Sequence, residues 1–134
     1  MDKKRFLRMQ RIVKVQRQQE DALRYEIAVA NSEITQLEEK SAELTGYWGS
    51  QEGALGEVVN KSIDRKLKTA AQEKFRKEAL VKSLTDKLIG EKRKTNMAQK
   101  QRDVAKQKHD RNEEKKTLTE IGELQVLKNL VRSG

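Results

Sequence analysis

Residues 6–48 read FLRMQRIVKVQRQQEDALRYEIAVANSEITQLEEKSAELTGYW, and their spacing decides the fold. Steps of three and four from Phe6 land on Met9, Val13, Gln16, Glu20, Leu23, Ile27, Ala30, Ile34, Leu37, Ser41, Leu44 and Trp48. Ten of these thirteen positions are apolar, and the alternation never slips across six heptads. A 3.5-residue repeat of that length keeps the apolar side chains on one slowly winding stripe. It therefore specifies a left-handed coiled coil rather than a generic amphipathic helix. The predicted helix spans about 3–48 and is roughly 65 Å long at 1.5 Å per residue.

Four of the seven glycines, Gly46, Gly49, Gly53 and Gly56, fall within eleven residues immediately after this stripe. In a chain of helix-forming residues such a cluster marks a turn, and the expected connection is about 49–61. Asn60 or Ser62 then caps a second helix over about 62–132, with Ser50 as the competing cap. A second stripe starts on that helix at Ile63, Leu67, Ala70, Lys74, Lys77, Val81, Leu84 and Leu88, widened by Phe75 and Leu80. Past Gly90 it fades, leaving only Met97, Ala98, Val104 and Ala105 as apolar residues up to Thr117. Apolar character returns at Leu118, Ile121, Leu124, Val126, Leu127, Leu130 and Val131.

Folding at the glycines gives an all-α antiparallel coiled-coil hairpin, one domain over 1–134. Trp48 facing about Ser62 sets Phe6 opposite about Val104, so the second helix overruns the first from about Asp110. That overhang carries the returning apolar cluster with no partner expected in its own chain, which points to an intermolecular one. A generic scaffold coiled coil that self-associates through the overhang is one alternative reading. Trp48 continues the stripe and reads as a core plug, whereas Tyr47 lies off it. Gln16 and Glu20 interrupt the stripe near the open end, and polar seam residues cost stability. The expectation there is an end that frays alone and orders on a partner.

Composition agrees with long helix. The 134 residues are 38% charged and 34% apolar, with no proline and no cysteine. Mean hydropathy is −0.96, and the abundant Lys, Arg, Glu, Gln, Leu and Ala are good helix formers. The lack of cysteine excludes a disulfide framework and thiolate metal sites. No apolar run reaches the 18 or so residues of a membrane span, so the expectation is a soluble cytoplasmic protein with no direct membrane insertion.

Charge is polarised. Residues 31–60 carry a net of −5, residues 1–30 a net of +4, residues 61–117 a net of +10, and residues 118–134 balance. This basic character invites a nucleic-acid reading. Interspersed acids and the scarcity of aromatics for stacking, with Phe75 alone in residues 61–117, weigh against it. No enzyme chemistry is visible. His109, the single histidine, sits among lysines and arginines with no carboxylate or nucleophile arranged beside it, and reads as a solvated side chain. Neither a phosphate loop nor metal-ligand spacing occurs, so no cofactor, metal or small-molecule substrate is expected.

Residues 7–22, LRMQRIVKVQRQQEDA, resemble the start of the FliJ/YscO family, small coiled-coil proteins of flagellar and virulence type III export. Members open with basic and apolar residues leading to an Arg-x-x-Glu-x-x-Ala-like stretch. Arg17, Glu20 and Ala22 come close, with the alanine one place early. Length, the lack of Pro and Cys, and the two-arm layout extend the resemblance over the whole chain.

The resemblance implies a non-enzymatic stalk or adaptor, peripheral at the cytoplasmic face of the export apparatus. Such a protein inserts its paired chain ends into a hexameric export ATPase and engages a membrane export gate and export chaperones. It implies ATPase contacts at Lys3, Lys4, Arg5, Arg8 and Arg11 with Leu124, Leu127 and Val131, and gate contacts at Leu44, Tyr47, Phe75 and Ala79. Gln51 and Lys82 depart from the family, standing where relatives carry apolar or aromatic residues.

Overall fold

The computed structural model describes residues 2–133. The fold is an all-α antiparallel two-helix hairpin: α1 spans Asp2–Tyr47 and α2 spans Gly53–Ser133. Cα packing divides the chain into two units, one of Met1–Gln18 with Lys92–Gly134 and the other Gln19–Glu91.

In the Gln19–Glu91 unit, the heptad positions Glu20, Leu23, Ile27, Ala30, Ile34, Leu37, Ser41 and Leu44 of α1 are all buried or half-buried. Facing them on α2 are Ile63, Leu67, Ala70, Lys74, Lys77, Val81, Leu84 and Leu88, equally shielded. The helices run antiparallel, as two ion pairs record: Lys74 Nζ lies 3.1 Å from Glu38 Oε1, and Lys77 Nζ reaches Glu33 Oε2. Lys74 and Lys77 occupy seam positions by lying along the interface and projecting their ammonium groups to these rim carboxylates. Phe75 and Leu80 do not widen the stripe. They are 73% and 43% exposed, because one residue off a seam position is a 100° rotation away from it.

The connection is shorter than 49–61. Only residues 48–52 lie outside the helices, and α2 starts at Gly53 rather than near 62. Among the described residues only Gly49 and Gly53 adopt positive φ, 79° and 78°, the left-handed conformation that ends α1 and admits α2. Gly46 sits inside α1 and Gly56 inside α2. Gly56 serves a close approach, since a Cβ there would stand 2.2 Å from the Gln51 carbonyl oxygen.

Asn60 caps no helix start. Its Oδ1 accepts the Gly49 N–H at 3.0 Å and so ties α2 to the end of α1. Trp48 is no core plug: it is 53% exposed, and its indole N–H donates to Asp64 Oδ1 at 3.1 Å.

In the Met1–Gln18, Lys92–Gly134 unit, Phe6, Met9, Val13 and Gln16 form the α1 seam. The α2 seam does not fade here. Thr95, Ala98, Arg102, Ala105 and His109 keep the same three-four alternation and are all buried or half-buried. Small side chains fit beneath large ones: Ala98 closes a cluster with Met9 and Val13, which is 2% exposed. His109 is therefore a half-buried seam residue rather than a freely solvated one. Asn112 donates its side-chain N–H to the Asp2 carboxylate. Beyond that rung, from 110 to 132, every side chain is exposed.

Candidate functional site

Two surfaces of the Met1–Gln18, Lys92–Gly134 unit stand out. The first is the outer face of α1. The seam commits Phe6, Met9 and Val13 to α2, which leaves Lys4, Arg8 and Arg11 on the far side at three-four spacing. Asp2, Lys4, Arg5, Leu7, Arg8 and Arg11 line an open concavity of about 540 Å³. Lys3, Lys4, Arg5, Arg8 and Arg11 are exposed, and among the described residues none of them joins an ion pair. Leu7, Ile12 and Val15 are exposed on the same helix at 44%, 38% and 50%. Sequence reasoning passed over these three. Their signal was available: they are apolar and fall between seam positions.

Charge concentrates in this unit. It holds nineteen basic and seven acidic side chains, a net of +12, whereas Gln19–Glu91 holds eleven and fourteen, a net of −3. Such a field draws an anionic partner and speeds encounter with it.

The second surface is the overhang. Leu124, Leu127 and Val131 are 60%, 58% and 80% exposed, and Leu118, Ile121, Val126 and Leu130 are comparably open. Ile121, Leu124, Leu127 and Val131 share an arc of about 120° of this helix and form an exposed apolar strip. The structure thus places the basic residues at 3–11 and the apolar residues at 124–131 within one unit.

In the Gln19–Glu91 unit, Tyr47 is 56% exposed at the end of α1, Ala79 is exposed, and Leu44 is a half-buried seam residue. These residues and Phe75 do not converge on one patch. The Lys74–Glu38 pair sets Phe75 level with Leu37 and Glu38, about 10 Å along the helix from Leu44 at 1.5 Å per residue. A groove of about 280 Å³ that the sequence did not reveal lies on this unit, lined by Tyr25, Val29, Ala30, Leu80 and Leu84 with Glu26, Glu33 and Lys77 at its edges. Its members come from two helices, and the pairing that brings them together is not written in either helix alone.

Among the described residues no group of three or more His, Cys, Asp or Glu side chains could hold a metal ion. No described helix is long and apolar enough to cross a membrane. No family model matches the chain, and no curated protein and no solved structure is significantly similar to it.

Proposed function

We propose that this chain is a non-enzymatic coupling adaptor of type III protein export, a FliJ/YscO-like protein working in the cytoplasm at the membrane export apparatus. In this reading the Met1–Gln18, Lys92–Gly134 unit enters a hexameric export ATPase, and the Gln19–Glu91 unit meets the export gate. Export chaperones are further partners. One observation carries the reading: unpaired basic side chains on the α1 outer face share a unit with an uncovered apolar helix, a combination made for a protein partner with acidic and apolar surface. Lys3, Lys4, Arg5, Arg8 and Arg11 supply attraction and orientation. Leu124, Leu127 and Val131 supply burial. The family resemblance of residues 7–22 supports the choice of export over other assemblies.

Affinity isolation from the native cell, read by mass spectrometry, tests the class, and co-isolation of the hexameric ATPase is the expected result. Reversing Arg8 and Arg11 to Glu should weaken ATPase binding at least about tenfold, since each reversal replaces attraction by repulsion. An unchanged ATPase response removes this site assignment.

The net charge of +12 favours a second reading, binding to nucleic acid. Affinity for duplex or single strand that falls steeply with salt, together with no ATPase capture, would replace the first reading by the second.

A further inference from the structure

Between Asp2 and Glu20 the chain carries seven basic side chains and no acidic one. All seven are exposed, and among the described residues none of them joins an ion pair. At 100° per residue, Lys4, Leu7, Arg8, Arg11, Lys14 and Val15 share an arc of about 120° centred opposite the seam of Phe6, Met9, Val13 and Gln16. Leu7 and Val15 are 44% and 50% exposed and straddle Arg11 on this arc. The outer face of α2 in the same unit differs in kind, since Asp103 and Glu114 lie among its cations. The start of α1 adds to the charge. Lys3, Lys4 and Arg5 stand at the positive end of the helix dipole, where acids are favoured. Asp2 is the one acid of that first turn, and its carboxylate accepts from Asn112.

We propose that the outer face of α1 adsorbs to the surface of a lipid bilayer rich in anionic headgroups. The long stems of Lys4, Arg8, Arg11 and Lys14 carry their charges to the lipid phosphates, while Leu7 and Val15 meet the hydrocarbon just beneath. Arg11 between the two aliphatics keeps the helix at headgroup level, so the chain rests on the surface and does not sink into it. Nucleic acid fits this face less well, because aliphatic side chains gain nothing on a phosphate backbone and the arc offers no aromatic ring to a base. A folded protein is recognised through anchors held in place by their neighbours, and these four cations are held by none. A fluid layer of mobile anions can gather wherever the cations stand.

This inference goes beyond the export reading and does not require it. Lys4, Arg8 and Arg11 also belong to the surface assigned above to the export ATPase, so lipid and ATPase compete for them. Pure lipid vesicles contain no ATPase. Failure on vesicles leaves the export reading standing, and failure to capture ATPase leaves the adsorption standing.

Cosedimentation of the full chain with vesicles tests the proposal. At about 0.1 M salt, where the Debye length is about 10 Å, the chain should bind phosphatidylcholine vesicles containing about a third phosphatidylglycerol and ignore pure phosphatidylcholine. Arg8→Gln, Arg11→Gln and Lys14→Gln together should lower the partition coefficient about 100-fold, at about fivefold for each basic residue lost from the surface. Arg93→Gln, Lys100→Gln and Arg111→Gln remove the same charge from the outer face of α2. That face is about 20 Å behind the lipid, two helix diameters and two Debye lengths away, and the expected loss is less than about threefold.

Tryptophan emission reads the contact. Leu7→Trp in a Trp48→Phe chain should shift to the blue on the anionic vesicles, and Val104→Trp in the same chain, placed on the outer face of α2, should not. Absence of binding to anionic vesicles, equal losses for the two triple variants, or an unshifted tryptophan at position 7 would each overturn the proposal. Tighter binding to a DNA duplex than to the vesicles, at equal accessible phosphate, would give the face to nucleic acid instead.

Discussion

Val13 and Val15 are the same residue type two positions apart on α1, and the structure gives them opposite surroundings. Val13 is 2% exposed in the cluster with Met9 and Ala98, and Val15 is 50% exposed. Val13→Ala removes two buried methyl groups, worth about 1.6 kcal/mol in transfer at about 0.8 kcal/mol each. The space left behind adds to the loss and the better helix propensity of alanine offsets about 0.6 kcal/mol of it, leaving about 1.5 kcal/mol. Val15→Ala gives up about half as much burial, and the better helix propensity of alanine returns about 0.6 kcal/mol. The expected net effect at position 15 is close to zero.

Thermal melts followed by far-ultraviolet circular dichroism should show a midpoint lowered by roughly 5–10 °C for Val13→Ala and by no more than about 2 °C for Val15→Ala. Amide hydrogen exchange near Ala98 locates the loss, since of the two valines Val13 is the one that packs against that part of α2. Equal shifts for the two variants, or a larger one at position 15, would refute the seam and with it the pairing of α1 with residues 92–109.

Gly56→Ala should destabilise the hairpin by about 2 kcal/mol, because its Cβ would stand 2.2 Å from backbone, while Gly46→Ala, with nothing within 4 Å, should stabilise α1 by about 0.5–1 kcal/mol; chemical denaturation of the pair decides. Gln16 Oε1 is buried without a hydrogen-bond partner, so Gln16→Leu should raise stability by about 1–2 kcal/mol in the same assay, and a loss would show that the amide is satisfied. Fluorescence of Trp48 should be that of a half-exposed indole and should change in Asp64→Ala, whose carboxylate accepts the indole N–H; blue-shifted emission indifferent to that substitution would return Trp48 to the core.

The α1 seam was legible because nearly every inward position from Phe6 to Leu44 declares itself by side-chain type. Trp48 broke the pattern because the helix ends at Tyr47 and the turn, not the heptad, then sets its direction. On α2 the inward run from Thr95 to His109 was illegible for a different reason. Thr95, Arg102 and His109 are polar, and Ala98 and Ala105 are small, so hydrophobicity falls while the geometry continues.

The turn was misjudged in length because glycine marks both left-handed backbone and tight packing. Gly49 and Gly53 do the first and Gly56 the second. Of the candidate surfaces, the basic face and the overhang could be read from charge and returning hydrophobicity. The groove of Tyr25, Val29, Leu80 and Leu84 could not, since it exists only once two helices are set side by side.

The bare stretch from 110 to 132 has a practical consequence. Arg111, Lys115, Lys116, Lys128 and Arg132 all stand in the open, on a helix that buries no side chain past His109. Trypsin should nick this tail long before it touches the sheltered seam. Whatever docks there must slow that cut, so the tail carries its own occupancy gauge and needs no label.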